Sequence, residues 1–288
     1  MTSNLFLDHI IILVPYDTLL HPPPWVTDNF TLTPGGRHAD GKTENKLICF
    51  ADGSYLELIA FINDSPHHRS GHWWGNKPYG IIDFAFTSRE SAQEQHARLA
   101  SRLSGNADGV RYQTPVEGGR TRDDGQELKW HVTFPDVTTT GFQRGELPFF
   151  CHDVTDRKLR VPGGVETTTH PSSAYGVAQI RIGAPKSRAE SLVRAYSAIL
   201  DVPNSAGDGG DIGAFEIKRM NGIKGVGDMK VLVSSREENG ESFSFDLVIG
   251  GFGERKSYTM LDMKSDGPSR IFLDLDVYPE NPSLKMGV

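Results

Sequence analysis

A glutamate in the middle of an apolar strand is the first residue of this sequence that could do chemistry. Glu57 lies in the run Tyr55–Phe61, and a second apolar run precedes it at residues 46–50. Residues 51–54, which separate the two runs, read Ala-Asp-Gly-Ser, and Asp-Gly at such a place predicts a β-hairpin. Alternation along the strand places Glu57 on the same face as Tyr55. A carboxylate there must face solvent or a cavity, pair with a cation or bind a metal, because burying it alone costs several kcal/mol.

Three further polar residues lie in apolar runs that predict strands. His9 lies in Leu5–Val14, Asp83 in Gly80–Thr87 and His152 in Leu147–Val154. Alternation predicts that His9 shares a face with Leu7, Ile11 and Leu13, and that His152 shares one with Phe150, opposite Phe149 and Cys151. Buried polar groups need partners, so these three residues and Glu57 are the first candidates for a common site.

The strands that carry these residues recur in a fixed order along the chain. Residues 5–62 read as a strand, a connection and three strands, and residues 80–154 as a strand, a helix and three strands. Residues 175–288 read as a third such module, after a linker rich in Pro, Gly and Thr at residues 157–174. The sequence therefore predicts an α+β fold: βαβββ modules whose mainly antiparallel strands curl around a cup, with helices outside. The first two modules form one domain over residues 1–156.

Capping boxes are predicted at the starts of two helices. Thr87 and Glu90 have the required spacing before a helix at Arg89–Leu103, and Ser187 and Glu190 have it before an amphipathic helix in the third module.

Composition excludes several classes of protein. The chain has 288 residues, a net charge of −7 and no Lys/Arg cluster, which argues against nucleic acid as the main partner. Its two cysteines are too few for a disulfide framework. The apolar run Leu5–Val14 is too short to span a membrane. We expect a cytoplasmic protein without a membrane partner, whose partner is a small-molecule substrate.

Short motifs in the first two modules resemble those of a known superfamily. The repeated modules, with His9 in the first strand and Glu57 in the fourth, resemble the vicinal oxygen chelate superfamily, which includes glyoxalases, bleomycin resistance proteins and dihydroxybiphenyl dioxygenases. More narrowly, the sequence resembles glyoxalase-like domain proteins, and fungal members among them, from about Leu5 to Arg188. The segments that carry this resemblance are Leu7-Asp8-His9, Gly35-Gly36-Arg37-His38, Asn45, Tyr55-Leu56-Glu57-Leu58-Ile59, Gly71-His72-Trp73-Trp74-Gly75, Gly80-Ile81-Ile82-Asp83-Phe84 and Pro148-Phe149-Phe150.

The resemblance implies a metal site at the floor of the cup. In the superfamily, two modules pair and each supplies ligands from its first and fourth strands, which here selects His9 and Glu57, then Asp83 and His152. Asp83 and His152 depart from the residue types usual at those places. Two imidazoles and two carboxylates would suit Zn, Mn, Fe(II) or Ni. Without a metal, His9 would be a core histidine hydrogen-bonded by Asp83.

A different pairing of modules would give another set of ligands. If the third module pairs with the first, Gln179 takes the register of His9, and a carboxylate such as Asp246 joins His9 and Glu57. We prefer the pairing of the first two modules, because the resemblance is stronger there.

Other side chains could bind or transform a substrate in the cup. His131 is a candidate general base if it faces inward with His152. Arg120 and Arg122 could hold a substrate carboxylate, or be surface charges of a hairpin. Asn45 could hydrogen-bond a substrate, and His38 could bind it or orient the Gly-rich turn. Trp130 could stack on a ligand together with Trp73 and Trp74.

These residues support three hypotheses of different classes. The first is a metal-dependent lyase, isomerase or ring-opening oxygenase that chelates a small oxygenated organic substrate through vicinal oxygens. The second is a metal-free binding or sequestration protein that uses the same cup. The third is a metabolic scaffold whose third module forms a homodimer. Metal analysis separates the first hypothesis from the other two.

Overall fold

The computed structural model describes residues 4–105, 108–122, 124–138, 140–205, 210–236, 243–263 and 266–277. A short 3-10 helix lies at Ile62–Asp64. The strands are β1 Leu5–Leu13, β2 Thr33–His38, β3 Thr43–Cys49, β4 Tyr55–Phe61, β5 Gly80–Ser88, β6 Val116–Thr121, β7 Glu127–Thr133, β8 Phe149–Asp153, β9 Ala174–Pro185, β10 Asp211–Ile217, β11 Met229–Arg236, β12 Ser244–Gly253, β13 Ser257–Leu261 and β14 Ser269–Val277. The helices are α1 Tyr16–Leu20, α2 Pro24–Thr27, α3 Pro66–Arg69, α4 Ala92–Leu103, α5 Arg157–Arg160, α6 Val165–Thr168 and α7 Lys186–Leu200.

The first eight strands close into a barrel. Their order around it is β1-β4-β3-β2-β6-β7-β8-β5. Within each module the first strand pairs in parallel with the last, β1 with β4 and β5 with β8. The modules join through two antiparallel pairs, β1 with β5 and β2 with β6. The predicted fold class, βαβββ modules curled around a cup, is confirmed.

A glycine allows β2 and β6 to pair and so to close the barrel; this pairing is called the seam. Arg37 and His38 of β2 pair with Thr121 and Arg120 of β6. A Cβ atom added to Gly36 would lie 2.3 Å from the carbonyl oxygen of Thr121, much closer than real Cβ contacts. The Gly-Gly pair before Arg37 therefore serves backbone approach at the seam.

A bulge in β1 changes which side chains enter the barrel. The pairing of β1 with β5 shifts register between Leu7 and His9. Leu5 and Leu7 consequently pack in the outer core, whereas His9 lines the barrel interior. The prediction that Leu7 shares a face with His9 is wrong, because strict alternation does not hold across a bulge.

The remaining six strands form a second sheet in the order β10-β11-β9-β12-β14-β13. Its plan repeats that of the barrel. The central strands β9 and β12 are antiparallel, and each has a parallel neighbour, β11 beside β9 and β14 beside β12. In the described part of the chain, no strands correspond to the seam strands β2 and β6, and the sheet stays open.

The second sheet changes the interpretation of residues 175–288. They hold two incomplete modules, β9-α7-β10-β11 and β12-β13-β14, instead of the one that the sequence predicted; residues 278–288 lie outside the described residues. The alternative ligand set with Gln179 and Asp246 is also wrong. Both residues belong to the open sheet, where Asp246 forms an ion pair with Arg270.

One hydrophobic core joins the barrel to the second sheet. Phe84, on the outer face of β5, lies 5.3 Å from Phe245 of β12 and 6.5 Å from Tyr196 of α7, measured between ring centroids. The strands β1 and β5 are therefore covered by apolar residues on their outer face as well. None of the helices in the described ranges has the length and apolar character needed to cross a membrane.

Both predicted capping boxes are misplaced. β5 continues to Ser88, so α4 starts later, with Ser91 and Glu94 forming the reciprocal capping box. β9 runs to Pro185 and α7 follows immediately, without a side-chain cap hydrogen bond at its N-terminus. In both cases the preceding strand extends further than its composition indicates.

A buried ion pair also connects the two units, and we expect its loss to destabilise the fold. Arg219 Nη1 lies 2.6 Å from Asp52 Oδ2, and both side chains are 4% exposed. Arg219→Met leaves Asp52 buried without its cation and should lower the free energy of unfolding by about 3–5 kcal/mol. Urea denaturation measures this change. Adding Asp52→Asn should recover part of the loss, because the uncompensated charge is then removed.

Lys230→Met serves as the control for this prediction. Its partner Glu216 is 3.7 Å away, and both side chains are largely exposed. Removing such a pair should change the unfolding free energy by less than about 1 kcal/mol. A loss as small for Arg219→Met would contradict a structural role of the buried pair.

Candidate active site

The barrel encloses a cavity of about 200 Å³. Most of its wall is apolar or aromatic, and its polar lining includes three imidazoles, three carboxylates, a hydroxyl, an amide and two guanidinium groups. The apolar and aromatic part of the wall includes Leu47, Tyr55, Trp73, Trp74, Trp130, Val132, Phe134, Phe149 and Cys151, and the polar part includes His9, His38, Asp40, Thr43, Asn45, Glu57, His72, Glu117, Arg120 and Arg160.

Glu57 is the centre of the polar lining. Its Oε1 accepts a hydrogen bond of 2.7 Å from Asn45 Nδ2 and lies 3.4 Å from His38 Nε2. Its Oε2 lies 3.5 Å from His9 Nε2. Burial raises the pKa of Glu57, but the hydrogen bond and charge of His38, together with His9 and Asn45, outweigh this and lower it to about 2. Glu57 is therefore a carboxylate at neutral pH.

Strand pairing brings these groups together. In the parallel pair β1–β4, His9 lies opposite Tyr55 and Ile11 opposite Glu57. The His9 ring stacks on Tyr55, with ring centroids 4.7 Å apart. Asn45 comes from the adjacent strand β3, where Leu47 is the partner of Glu57. His9 and Glu57, 48 residues apart in sequence, thus converge from neighbouring strands, the arrangement expected from the sequence.

A buried ionic cluster holds His9 from the other side. His9 Nδ1 donates to Asp8 Oδ2 over 2.7 Å, and Arg157 and Arg160 both form ion pairs with Asp8. Burial raises the pKa of Asp8, but the charges of Arg157 and Arg160 and the hydrogen bond from His9 hold it well below its ordinary value. Arg160 Nη1 also donates to the hydroxyl of Tyr55 over 2.6 Å.

Most of this cluster was not predicted from the sequence. Arg157 and Arg160 belong to α5, inside the stretch that the composition indicates as a linker. Asp8 adjoins His9, and Tyr55 shares a face with Glu57, so proximity and strand alternation could have indicated these two. No local sequence pattern indicates a role for Arg160, because its partner Asp8 is 152 residues away in the sequence.

His152 and His131 lie outside the barrel, contrary to the predicted metal site and general base. They form a cross-strand pair and line a separate cleft of about 430 Å³. His152 Nε2 is 3.1 Å from Ser88 Oγ. The neighbour Cys151 faces the cavity instead. The predicted face is wrong because β8 carries large apolar residues on both sides, Phe149 inside and Phe150 in the outer core.

Asp83 and Arg122 are also separated from Glu57. Asp83 of β5 pairs with Ile11 of β1, and it accepts a hydrogen bond of 2.9 Å from Trp74 Nε1. Arg122 follows the end of β6, pairs with Asp124 at 2.8 Å and donates to the carbonyl of Leu159. Neither residue lines the cavity.

The predicted four-ligand metal site therefore does not form. His9 and Glu57 meet, but Asp83 is bound to Trp74 and His152 lies on the outer face of the barrel. Among the residues that the structure describes, no group of three or more His, Cys, Asp or Glu side chains could hold a metal ion. The predicted set of four donors therefore does not fit the metal that the resemblance implies, and of its members only His9 and Glu57 converge.

The other predicted binding residues do line the cavity. Asn45, His38, Arg120 and Trp130 all contribute to its wall. The His38 and Trp130 rings meet edge to face, with centroids 6.2 Å apart. His38 is oriented through Nδ1 by Thr43 Oγ1 at 2.8 Å, so its second nitrogen is directed to Glu57.

The lowered pKa of Glu57 predicts how stability depends on pH. A carboxyl group with a pKa of about 2 in the folded state and about 4.3 when unfolded stabilises the fold above the unfolded value. That contribution, about 3 kcal/mol, is lost as pH falls through the folded value. Urea denaturation of wild type and Glu57→Gln between about pH 5 and pH 2 measures it. The variant should show a correspondingly smaller loss of stability across this window.

Glu127→Gln is a matched control, because Glu127 is exposed at the start of β7. It should follow the wild-type pH dependence. Parallel curves for wild type and Glu57→Gln would contradict an ionised, internally paired Glu57.

Comparisons with known proteins agree with this architecture. The model of one protein family, described as a glyoxalase-like domain, matches residues 7–200. No curated protein matches the sequence significantly. A hypothetical protein from Staphylococcus aureus superposes with a TM-score of 0.69 at 13% identity, covering 94% of this chain and 99% of that one.

Two further structures share the fold at lower similarity. A mutant of 4-hydroxymandelate synthase from Streptomyces coelicolor has a TM-score of 0.52 at 9% identity and covers 98% of this chain and 96% of its own. A xylose isomerase-like TIM barrel/4-hydroxyphenylpyruvate dioxygenase fusion protein has a TM-score of 0.54 at 9% identity, over 98% of this chain and 50% of its own. At such identities the likeness concerns the fold alone. The family match spans well over half of the sequence, and the chain belongs to the glyoxalase-like domain family.

Proposed function

We propose that this protein is an enzyme that moves a proton on a small oxygenated organic molecule held in the barrel cavity, as an isomerase or lyase does. One observation carries the proposal: an ionised carboxylate, Glu57, lies between the Nε2 atoms of His9 and His38 in a cavity whose walls are otherwise mainly apolar. Imidazoles that are hydrogen-bonded to a carboxylate and shielded from water are suited to general acid–base catalysis.

The three side chains have different parts in this proposal. A carboxylate with a pKa of about 2 is a weak base, so Glu57 holds and polarises the imidazoles. Asp8 is ionised and accepts the Nδ1 proton of His9, which leaves Nε2 as the nitrogen that exchanges a proton toward the cavity. His38 Nε2 approaches Glu57 from the other oxygen and serves as the second proton carrier.

The apolar wall supports the same proposal. Trp130, Phe134 and Phe149 form an apolar part of the wall around the same cavity as Glu57. Charge that develops on a substrate oxygen there is stabilised by fixed donors instead of mobile solvent. Asn45 Nδ2, already donating to Glu57, keeps that carboxylate from rotating.

Proton exchange at carbon tests this proposal without knowledge of the natural substrate. A panel of small ketones and hydroxyketones, incubated with the protein in D2O, is followed by NMR for loss of the exchangeable C–H signal. Wild type should accelerate exchange of at least one compound. His38→Ala and Glu57→Gln should each reduce that acceleration by about 100-fold or more, the usual size of an acid–base contribution.

His131→Ala is the control for the exchange assay, because His131 lies on the outer face of the barrel. It should keep the wild-type rate. Exchange that survives in Glu57→Gln, or that disappears in His131→Ala, would contradict the proposed site. Compounds that bind tightly without any exchange would favour the alternative, a binding or sequestration protein.

A metal-dependent lyase, isomerase or ring-opening oxygenase is the second candidate. The convergence of His9 and Glu57, two of the predicted ligands, is the observation that favours it. Elemental analysis of protein purified without affinity-tag metal separates the two candidates. Equimolar Zn, Mn, Fe or Ni that disappears in Glu57→Gln would support the second candidate, and its absence after loading would remove it.

Location and assembly remain predictions. Both cysteines are free thiols and buried, which is consistent with a cytoplasmic protein. Formation of a homodimer through the C-terminal sheet can be tested by sedimentation.

A further inference from the structure

Arg120 is a buried cation in the cavity wall. It lies on β6, beside the seam that closes the barrel, and is 4% exposed. Its Nη1 donates to Asn45 Oδ1 over 2.8 Å, and its Nη2 donates to the carbonyl of Arg160 over 3.1 Å. Both acceptors are neutral, so these bonds orient the guanidinium without balancing its charge.

One of the three guanidinium nitrogens of Arg120 has no hydrogen-bond partner. Nε is buried and makes no hydrogen bond. Among the residues that the structure describes, no carboxylate lies within salt-bridge distance of Arg120, whereas Arg157 and Arg160 pair with both Asp8 and Asp153. A buried guanidinium without a counter-ion is costly unless a ligand supplies one.

Asn45 keeps Arg120 apart from Glu57. The amide donates to Glu57 through Nδ2 and accepts from Arg120 through Oδ1, so it bridges the two charges and its orientation is fixed by both. An anionic group beside Arg120 would therefore lie next to the proton-transfer residues without displacing Glu57. A single uncompensated charge suits a monoanion better than a phosphate dianion, which the nearby carboxylate of Glu57 would repel more strongly.

We propose that the molecule bound in the cavity carries a carboxylate that pairs with Arg120, while its apolar part, about one ring in size, lies against Trp130, Phe134 and Phe149. The inference rests on the proposed function, since it names the substrate class of the same cavity. The volume of about 200 Å³ agrees with that size, because an engineered apolar cavity of about 150 Å³ holds benzene.

Calorimetric titration with matched pairs of ligands tests the charge directly. Benzoate is compared with benzamide, and phenylacetate with phenylacetamide. Wild type should bind each carboxylate about tenfold or more tightly than its amide, and inorganic phosphate more weakly than either carboxylate. Arg120→Met should bring carboxylate and amide within about twofold of each other while the amide still binds, because the apolar wall is unchanged.

Arg122→Met is the matched control. Arg122 lies two residues further along the chain and does not line the cavity, but together with Arg120 it lines a second groove. It should keep the wild-type preference. Loss of the preference in Arg122→Met would assign the anion to that groove and overturn the proposal, as would equal binding of carboxylate and amide, tighter binding of phosphate, or no carboxylate binding at millimolar concentration.

Two further variants keep the result interpretable. Arg120→Lys retains the positive charge but not the Nε–H donor. If Arg120→Met does not fold, Arg120→Lys replaces it in the test. A reduced preference for carboxylate over amide in Arg120→Lys then supports the proposal, and an unchanged preference overturns it. Glu57→Gln should keep or increase the preference, because it removes a like charge from the neighbourhood of the anion.

Carboxylate preference without proton exchange would mean that the proposed function fails while Arg120 is still an anion site. Proton exchange that is independent of Arg120 and of substrate charge would mean that the proposed function holds while Arg120 is not an anion site.

Discussion

The geometry of the candidate site depends on the burial of one negative charge. Asp8 is completely buried, and it is stable there because Arg157 and Arg160 contact it and His9 donates to it. The same arginines pair with Asp153 at the end of β8. The cluster therefore ties the first strand of the barrel to its last strand and to α5. It also sets which nitrogen of His9 faces Glu57, so the chemistry of the cavity depends on a contact between distant parts of the sequence.

The two sheets of the molecule differ in that the first closes into a barrel and the second stays open. Both sheets are built around a central antiparallel pair whose strands have parallel neighbours. The seam between β2 and β6 turns the first sheet into a barrel with an interior, and Gly36 permits the approach of the two backbones. The second sheet is open and supports the barrel by packing against the outer faces of β1 and β5. The interior that holds the candidate site thus belongs to the closed half.

The cavity combines groups that would be costly to bury one at a time. Glu57, Arg120 and the Asp8 cluster lie close together, and Asn45 connects Glu57 to Arg120. Glu57 and Asp8 both have cationic or hydrogen-bonding neighbours, whereas the Nε atom of Arg120 has no hydrogen-bond partner. Polar groups that are almost, but not fully, satisfied are typical of sites that complete themselves with a ligand. Because the expected set of metal ligands does not form, its residues have different roles from those predicted. The candidate site nevertheless lies inside the barrel, as the sequence predicted.

The sequence alone determined the first two modules, the strands that carry His9 and Glu57, and several residues of the cavity, among them Asn45, His38 and Trp130. Periodicity and turn chemistry are local, so these features could be predicted. Which face of a strand points inward was decided only by the tertiary structure. The outer faces of β1, β5 and β8 are apolar because the second sheet and nearby segments cover them, so hydrophobicity could not distinguish Cys151 from His152. The bulge at Asp8 and the contact of Arg160 with that residue depend on long-range packing, which no local pattern in the sequence records.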